Sequence, residues 1–351
     1  MMGTPILSLT LDQLKAHFRE MGESEYRAKQ IFSWLYQKNI SSFLEMKNLS
    51  LNLRHEFQER FFITEPKVKT FLSSDGTRKF IFTLSDGQAI EAVWIPEVKR
   101  KTLCISSQVG CPLRCAFCVT GAVGFKRNLS VDEIVAQVRY VKILQGFPVT
   151  NIVFMGMGEP LLNMENVISA IKILCAHDGL KVAKRKITVS TVGVIPKIRP
   201  FLAATDVKLA ISLTGSTDSS RDYWMPINKT FNLQELTESL KGIPLEKGRK
   251  FTFEVVLIAN ETDTDAQAIK LANLLKKIPS KVNLIPYNEN PLFPELKAPS
   301  KDRIEAFRTV LMERSIYTTV RKNRGADIMA ACGQLAGGSF INIAATEGRA
   351  A

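Results

Sequence analysis

Three cysteines lie close together in the stretch QVGCPLRCAFCVTG, at Cys111, Cys115 and Cys118. Three thiolates at this C-x3-C-x2-C spacing can share one metal centre. A structural zinc site needs four protein ligands, and the three histidines of the chain lie far away in segments with helical patterns. An iron-sulfur cluster held by cysteine on only three irons leaves the fourth iron open to a substrate. The spacing therefore favours a 4Fe-4S cluster over zinc.

Two further cysteines and one acidic residue are candidates for chemistry outside this motif. Cys104 precedes Cys111 by seven residues in the β-rich run TLCISS, where a small core side chain is the ordinary interpretation. Cys332 lies in AACGQLAGG, where the side chains are too small and the glycines too many for a helix or strand of the core. Glu91 lies on a predicted strand in QAIEAVWIP, where a solvent-facing position is the ordinary alternative.

The elements that must position these residues follow a regular order from about residue 102. Short β-rich runs alternate with helical patterns, and the runs are TLCISS, NIVFMG, KITVSTV, VKLAISL, FTFEVVLI and VNLIPY. This order predicts an α/β fold with a parallel sheet. Six units are too few for a full eight-unit barrel, so we expect a partial (β/α)6 barrel or an open sheet. Either arrangement places the active site at the carboxyl ends of the strands.

Two smaller units precede the predicted barrel. Thr10 can cap a first amphipathic helix, and a second apolar stripe follows, which predicts a small helical N-terminal domain at residues 1–65. The alternating runs RKFIFTL and QAIEAVWIP flank a turn at residues 85–87, which predicts a β-hairpin extension over residues 66–100 that carries Glu91. The barrel and a C-terminal loop then occupy residues 101–351.

Composition limits the class of protein. The 351 residues are 45% hydrophobic and 23% charged, which is typical of a globular protein with a sizeable core. Six cysteines are too few for a disulfide-stapled scaffold, and the N-terminus lacks the pattern of a secretory signal. No apolar stretch approaches the roughly 18 residues of a membrane span. We therefore expect a cytoplasmic protein with reduced thiols and no membrane association.

The net charge of +13 is concentrated in the middle of the chain, because residues 101–200 carry 13 basic and 5 acidic side chains. Such a concentration of positive charge is typical of a protein that binds a polyanion, most often nucleic acid. On charge alone, a solvated basic face is an equally good interpretation. Arg321, Lys322 and Arg324 form a second basic run, for which a solvated surface is the ordinary interpretation, although their closeness to Cys332 in sequence favours contact with nucleic-acid phosphates.

The cysteine motif after the first strand resembles the radical S-adenosylmethionine enzymes, in which the open iron holds the amino and carboxylate groups of S-adenosylmethionine. The runs CISSQVGCPLRCAFC, FMGMGEP, ITVSTVG, MPIN, LIPYN and RGADIMAACGQL resemble more closely the RlmN family of RNA adenine-C2 methyltransferases. One departure is Thr214, where the family usually has histidine. The resemblance implies one 4Fe-4S cluster on Cys111, Cys115 and Cys118, and S-adenosylmethionine contacts at Gly158, Glu159, Ser190, Ser212, Leu213, Thr214 and Asn288.

The resemblance also implies a reaction. The family methylates C2 of an adenosine in the peptidyl-transferase region of 23S rRNA, and in many members an adenosine 3′ of the tRNA anticodon. Cys332 would carry the methyl group as S-methylcysteine, Cys104 would be the resolving thiol, and Glu91 the proton acceptor. The cycle would use two S-adenosylmethionine molecules, pass through a covalent protein–RNA intermediate and form a transient disulfide. A low-potential donor such as flavodoxin or ferredoxin would reduce the cluster, the N-terminal domain would assist RNA binding, and a monomer is expected.

Two alternatives remain at this stage. A 23S rRNA methyltransferase specific for C8 of adenine would use the same two cysteines, and the helical N-terminal unit favours C2. A non-catalytic RNA-binding protein with a structural metal site is an alternative from another class.

Overall fold

A computed structural model describes residues 3–246 and 248–337 of the chain. Most of its strands belong to one large sheet. In chain order the strands are β1 at Thr4–Pro5, β2 at Phe61–Phe62, β3 at Lys67–Leu72, β4 at Arg78–Thr83, β5 at Ala89–Pro96, β6 at Lys101–Ile105, β7 at Gln108–Val109, β8 at Arg127–Asn128, β9 at Asn151–Phe154, β10 at Ile187–Thr191, β11 at Lys208–Ser212, β12 at Phe251–Leu257, β13 at Ser280–Pro286 and β14 at Thr318–Val320.

The α-helices fall into an N-terminal group and a group that connects the strands of the large sheet. In chain order they are α1 at Leu11–Glu20, α2 at Glu25–Gln37, α3 at Leu51–Arg60, α4 at Val119–Val123, α5 at Val131–Arg139, α6 at Met164–Cys175, α7 at Ile195–Thr205, α8 at Asp218–Trp224, α9 at Leu233–Lys241, α10 at Asp265–Leu275 and α11 at Lys301–Glu313. In the part of the chain that the structure describes, no helix is both long enough and apolar enough to cross a membrane.

The large sheet has ten strands in the order β14-β13-β12-β11-β10-β9-β6-β5-β4-β3. The strands from β6 and β9 through β14 are mutually parallel, and a helix lies between each and the next. All six strands predicted from the β-rich runs are present. The sequence prediction missed β14, a seventh parallel strand of only three residues.

The predicted hairpin is confirmed, and it continues the large sheet instead of standing apart from it. Strands β4 and β5 pair antiparallel, and the turn between them has Gly87 at a φ of +82°. Strand β5 also pairs antiparallel with β6, where Val93 lies opposite Cys104. An additional edge strand, β3, pairs with β4. The hairpin therefore places Glu91 on a strand next to the one that carries Cys104.

The N-terminal helices form around local signals. The backbone N–H of Gln13 donates to Thr10 Oγ1 at 3.3 Å, which caps α1 as the sequence predicts. Helix α2 buries one apolar face against the core, made of Ala28, Ile31, Phe32, Leu35 and Tyr36.

Helix α5 fastens this N-terminal unit to the sheet. Glu133 accepts the Ser130 N–H at 3.0 Å, which confirms the predicted start of the helix. At the other end, the guanidinium of Arg139 is almost fully buried and donates to the carbonyls of Leu35 and Ile40. The N-terminal unit therefore packs against the sheet through a buried cation as well as apolar contacts.

The proposed domain limits at 1–65, 66–100 and 101–351 remain predictions. The end of the last range, residues 338–351, lies outside the described residues.

Candidate active site

The three motif cysteines lie in the loop that follows β7 and enters α4. Cys111 begins the loop, its N–H donating to Gly124 O at 3.2 Å, and Cys118 is the residue that caps α4. The Cys118 N–H donates to Cys115 O at 3.1 Å, which makes a tight turn between these two. Each of the three sits partly buried, and their side chains line one cavity.

A glycine permits this loop to close. Gly110 has a φ of +73°, and a Cβ added there would lie 1.6 Å from Gly124 O. Any other residue would be strained at this φ, and its Cβ would displace the backbone at Gly124, where the loop returns after α4. The position of Cys111 therefore depends on Gly110.

The C-terminal loop is tied directly to this motif. The Val119 N–H donates to Gly333 O at 2.8 Å, and Thr120 Oγ1 donates to Leu335 O at 2.6 Å. On its other side, Asn288 Nδ2 donates to the carbonyl of Cys332 at 2.8 Å. These contacts hold the half-buried Cys332 beside the cysteine motif, although more than 200 residues separate Thr120 from Leu335. Asn288, expected to contact the cofactor, here positions Cys332.

The first cavity lies at the carboxyl ends of the parallel strands and has a volume of about 1040 Å³, including its opening to solvent. It is lined by the three motif cysteines and Cys332, and by six of the seven residues that the resemblance implies for S-adenosylmethionine. These six are Gly158, Glu159, Ser190, Ser212, Thr214 and Asn288. Leu213 does not belong to this lining; it is buried, and its N–H donates to Glu254 O at 2.7 Å.

The glycines after β9 are required by packing within the protein. A Cβ at Gly156 would lie 2.8 Å from the carbonyl carbon of Ile105, and a Cβ at Gly158 would lie 2.5 Å from Gln108 Cβ. Gly158 also has a φ of +98°. Gly158 is implied to contact S-adenosylmethionine, and the close contacts that the structure shows at both glycines are with the segment from the end of β6 to β7.

Polar groups of the first cavity are fixed by hydrogen bonds. Glu159 accepts from the N–H groups of Leu161 at 3.0 Å and Val192 at 2.9 Å, and burial raises the pKa of its carboxyl to about 7. Thr214 Oγ1 accepts from the Val256 N–H at 3.2 Å, so the residue that replaces histidine is bonded to the sheet.

Sequence reasoning missed Arg221, although a single arginine in the segment SSRDYW was a visible signal. Its buried guanidinium donates to Ser212 O at 3.0 Å and to Val192 O at 2.6 Å, and thereby joins the ends of β11 and β10. This contact fixes the strand ends that carry Ser190 and Ser212.

A second cavity, of about 1820 Å³ including its opening, reaches Cys332 from the other end of the sheet. Its lining includes Cys104 and residues at the amino ends of strands, such as Thr102, Thr188 and Lys208. The two cavities share their innermost lining, which consists of Met155, Glu254, Ile285, Pro286, Asn288, Arg321, Cys332 and Leu335. Cys332 therefore lies at the boundary between the two cavities.

Among these shared residues is a partly buried ion pair that the sequence did not predict. Arg321 Nη1 lies 3.5 Å from Glu254 Oε1, and Ser190 Oγ donates to Glu254 Oε2 at 3.1 Å. The expected contact of Arg321 with RNA phosphates does not match this inward position. Arg324 is also occupied, 3.6 Å from an Asp75 carboxylate oxygen. The signal for the pair was an acidic residue inside the apolar strand FTFEVVLI.

The structure brings Cys104 and Cys332 to one cavity and places Glu91 nearby. Glu91 lies two residues from Val93, whose side chain lines the second cavity, so both project from the same face of β5. Glu91 is buried and does not itself line either cavity. Lys79 Nζ, another residue that sequence reasoning missed, lies 3.7 Å from Glu91 Oε2 and donates to Met329 O at 3.3 Å.

Basic side chains gather at the amino ends of the strands, around the second cavity. Lys208 and Lys281 belong to its lining. Burial lowers the pKa of Lys208, and the positive charges of Lys281, Lys186 and Arg249 lower it further, which shows that these side chains lie near one another. Arg249 is paired with Asp206. We call Lys186, Lys208 and Lys281 the amino-end basic patch.

The donor set at the first cavity fits an iron-sulfur cluster. Burial raises the pKa of Cys111 to about 12 and also raises the pKa values of Cys115 and Cys118. Three such thiols become thiolates when a cationic centre draws off their protons, as iron does. Within the described residues, no group of three or more Cys, His, Asp or Glu side chains surrounds a point where a single metal ion could sit. All three histidines are described, and none lines either cavity.

Comparisons with known proteins agree with the cysteine motif and the fold. Residues 4–63 match the family model of the ribosomal RNA large subunit methyltransferase N-terminal domain, and residues 105–272 match that of the Radical SAM superfamily. A dual-specificity RNA methyltransferase RlmN from Geotalea uraniireducens is 46% identical over 95% of this chain and 96% of its own length. The protein of the same name from Geobacter sulfurreducens is 46% identical over 95% of this chain and 92% of its own.

A solved structure resembles the whole chain. The radical SAM methyltransferase from Sphaerobacter thermophilus superposes with a TM-score of 0.89 at 40% identity, and the match covers 95% of this chain and 99% of that one. The family that the sequence motifs predicted is thus confirmed by relatives of nearly full length. The chain belongs to the RlmN family of dual-specificity RNA methyltransferases, within the radical SAM superfamily.

Proposed function

We propose that this protein methylates C2 of an adenosine in the peptidyl-transferase region of 23S rRNA, and C2 of the adenosine 3′ of the anticodon in tRNAs. The observation that carries the proposal is the position of Cys332 between two cavities, one lined at the carboxyl ends of the strands and the other extending to their amino ends. A methyl group can then pass from a donor in one cavity to an acceptor in the other. The names of the relatives support two classes of RNA substrate.

The first cavity is the proposed cofactor site. Cys111, Cys115 and Cys118 would hold the 4Fe-4S cluster, and Gly158, Glu159, Ser190, Ser212 and Thr214 would line the site of S-adenosylmethionine. Together the bound cluster and S-adenosylmethionine supply a methyl group and a 5′-deoxyadenosyl radical, with two S-adenosylmethionine molecules used per turnover. The fixed carboxylate of Glu159 and the hydroxyls of Ser190 and Ser212 suit the polar groups of this ligand.

The second cavity is the proposed site of the adenine. Its lining comes from eight neighbouring strands, β5, β6 and β9 through β14, and we infer that the parallel strands curve around it as a partial barrel. The amino-end basic patch at its opening suits the phosphates that flank a base inserted into the cavity. The N-terminal domain would add contacts with RNA.

The two cysteines have separate roles in the proposed reaction. C2 of adenine is electron-poor and is no nucleophile, so it cannot take a methyl cation directly. Cys332 would take the methyl group as a thiolate and lose a hydrogen atom from it to the 5′-deoxyadenosyl radical, and the resulting methylene radical would bond to C2. The adduct would then lose its C2 proton and one electron, which the oxidised cluster could take back. Cys104 then attacks the sulfur of Cys332, which releases the methylated base and leaves a disulfide.

Glu91 is the proposed acceptor of the C2 proton. Lys79 Nζ lies 3.7 Å from Glu91 Oε2, so the acidic group is held beside a cation inside the protein. Lys79 also bonds to Met329 O, and so links Glu91 to the loop that carries Cys332.

The test is methylation of 23S rRNA and tRNA fragments by the enzyme after anaerobic assembly with iron and sulfide. The product nucleoside is identified by mass spectrometry and NMR. A methyl group at C8 would contradict the proposed regiochemistry and favour the sister activity. Four iron per chain with reductive cleavage of S-adenosylmethionine supports an enzyme, whereas bound zinc without cleavage favours a structural metal in an RNA-binding protein.

Cysteine variants test the two-cysteine route. Cys104→Ala should accumulate protein covalently bound to RNA, and Cys332→Ala should neither carry a methyl group nor form the adduct. Cys175→Ala is the matched control, because Cys175 lies at the end of α6 outside both cavities and should retain activity. A Cys104→Ala enzyme that is fully active and carries no bound RNA would contradict the role of Cys104 as the resolving thiol.

The proposed cycle also needs partners. A low-potential donor such as flavodoxin or ferredoxin would reduce the cluster, and the enzyme would act as a monomer in the cytoplasm, where its RNA substrates reside.

A further inference from the structure

The ion pair between Arg321 and Glu254 has no role in binding the cluster, S-adenosylmethionine or RNA phosphates as proposed above. Arg321 follows β14 directly, and Glu254 lies in the middle of β12. Their side chains are 25% and 6% exposed, and Arg321 Nη1 also contacts the Met155 sulfur at 3.4 Å. These two contacts place the guanidinium in the lining of the cavities, beside the groups that surround it there.

The groups around it include both reactive cysteines. Arg321 lines both cavities together with Cys332, and Cys104 lines the second cavity. The charged or titratable groups that act on Cys104 are Cys332, Arg321 and Glu254. Arg321 in turn is influenced most strongly by Cys332. The guanidinium therefore lies in the electrostatic neighbourhood of both sulfurs.

Cys104 needs such a cation if it is to act as a nucleophile. Burial, and to a smaller extent the negative charges of a Cys332 thiolate and of Glu254, raise the pKa of the Cys104 thiol to about 12 even with Arg321 in place. At neutral pH the thiol form would then be strongly favoured, although attack on sulfur requires the thiolate. The positive charge of Arg321 acts in the opposite direction and lowers this pKa.

We propose that Arg321, held in place by Glu254, is a positioning residue for the step that releases RNA, in which it stabilises the thiolate of Cys104 beside the sulfur of Cys332. This inference rests on the proposed function. Cys104 attacks the Cys332 sulfur, a sulfur–sulfur bond forms and the bond from that sulfur to the methylene carbon breaks. The electron pair of the broken bond goes to the carbon, which takes up a proton and becomes the methyl group. The two sulfurs lose two electrons and the carbon gains them.

The rate at which RNA is released from its covalent adduct with the protein measures this step directly. RNA labelled at one end is added to assembled enzyme, samples are quenched over time, and protein-bound RNA is followed on denaturing gels. Arg321→Gln keeps polar contacts but removes the charge, and Arg321→Lys restores the charge. Arg314→Gln is the matched control, because Arg314 is exposed at the end of α11 and lines neither cavity.

We expect Arg321→Gln to release RNA at least about tenfold more slowly than the wild type, since a cation nearby commonly lowers a pKa by one to three units. Arg321→Lys should recover most of the rate, and Arg314→Gln should match the wild type. Release by Arg321→Gln at the wild-type rate would overturn the inference. Equal slowing in Arg321→Gln and Arg321→Lys would also overturn the inference, because it would indicate that the shape of the arginine side chain matters and its charge does not.

A second measurement does not depend on RNA. Alkylation of Cys104 by iodoacetamide, followed by mass spectrometry of its peptide in the assembled enzyme, reports the thiolate directly. It should be slower by a similar factor in Arg321→Gln and near normal in Arg321→Lys; unchanged alkylation in Arg321→Gln would contradict the inference. A wild-type enzyme that methylates no RNA, with a Cys104→Ala variant that forms no adduct, would instead overturn the proposed function.

Discussion

Gly110 offers a quantitative test of how the cysteine loop is built. A Cβ at this position would lie 1.6 Å from Gly124 O, whereas an ordinary contact between carbon and oxygen is about 3.3 Å, so the carbonyl would have to move by roughly 1.7 Å. Gly124 O is also the acceptor of the Cys111 N–H. Gly110→Ala should therefore disturb the position of Cys111, a proposed cluster ligand, as well as the backbone around it.

The control separates this contact from backbone strain. Gly146 has a φ of +68°, close to the +73° of Gly110, and a Cβ there would meet nothing within 4 Å. Gly146→Ala should cost only the strain of the left-handed conformation, about 1–2 kcal/mol of the free energy of unfolding. Gly110→Ala should cost clearly more.

The assay combines iron analysis after anaerobic assembly with denaturant unfolding of the cluster-free proteins. Gly146→Ala should bind a full complement of iron, and Gly110→Ala should bind much less. If Gly110→Ala took up iron like the wild type and unfolded like Gly146→Ala, the proposed dependence of the cluster loop on this contact would be wrong.

Three further predictions concern the two cavities and the loop between them. Lys208→Ala and Lys281→Ala should each weaken RNA binding and reduce the slope of log affinity against log salt concentration by about 1, as measured by salt titration, with S-adenosylmethionine binding unchanged. Thr120→Val leaves the carbonyl of Leu335 without its donor, at a cost of about 1–3 kcal/mol, and should lower the fraction of protein methylated on the C-terminal loop in peptide mass spectra while iron content stays normal. Because burial raises the pKa of Glu159 from 4.5 to about 7, its contribution to stability is complete below about pH 4.5 and is lost as the pH rises through 7. Relative to Glu159→Gln, the cluster-free wild type should lose about 3 kcal/mol of unfolding free energy between pH 4 and 8, and an equal pH dependence in the two proteins would contradict this cause.

Local signals in the sequence were sufficient for most of the fold. Thr10, and Ser130 with Glu133, start helices through contacts within four residues, and the six longer parallel strands are apolar runs with clear limits. Two strands of the large sheet were missed for physical reasons. Strand β14 has only three residues, and β3 is an edge strand whose residues are mostly exposed, so neither has the apolar pattern of a buried strand.

The site was harder to predict, because its geometry depends on contacts between distant residues. Nothing near Cys332 in sequence shows that its loop bonds to α4, more than 200 residues earlier. Arg321 was misread as part of a basic surface run, although its partner Glu254 lies 67 residues away on another strand. Contacts of S-adenosylmethionine, and the roles of Cys104 and Glu91, remain predictions that the experiments above can test.

The extension of the two cavities toward opposite ends of the strands has a consequence for the order of events in the proposed turnover. In that cycle the first cofactor molecule would depart after giving its methyl group, and a second would replace it before the radical step. In the proposed cycle both exchanges would take place at the carboxyl ends of the strands, while the RNA would cover the amino ends. This arrangement would let the enzyme renew its small-molecule reagent while the RNA stays bound.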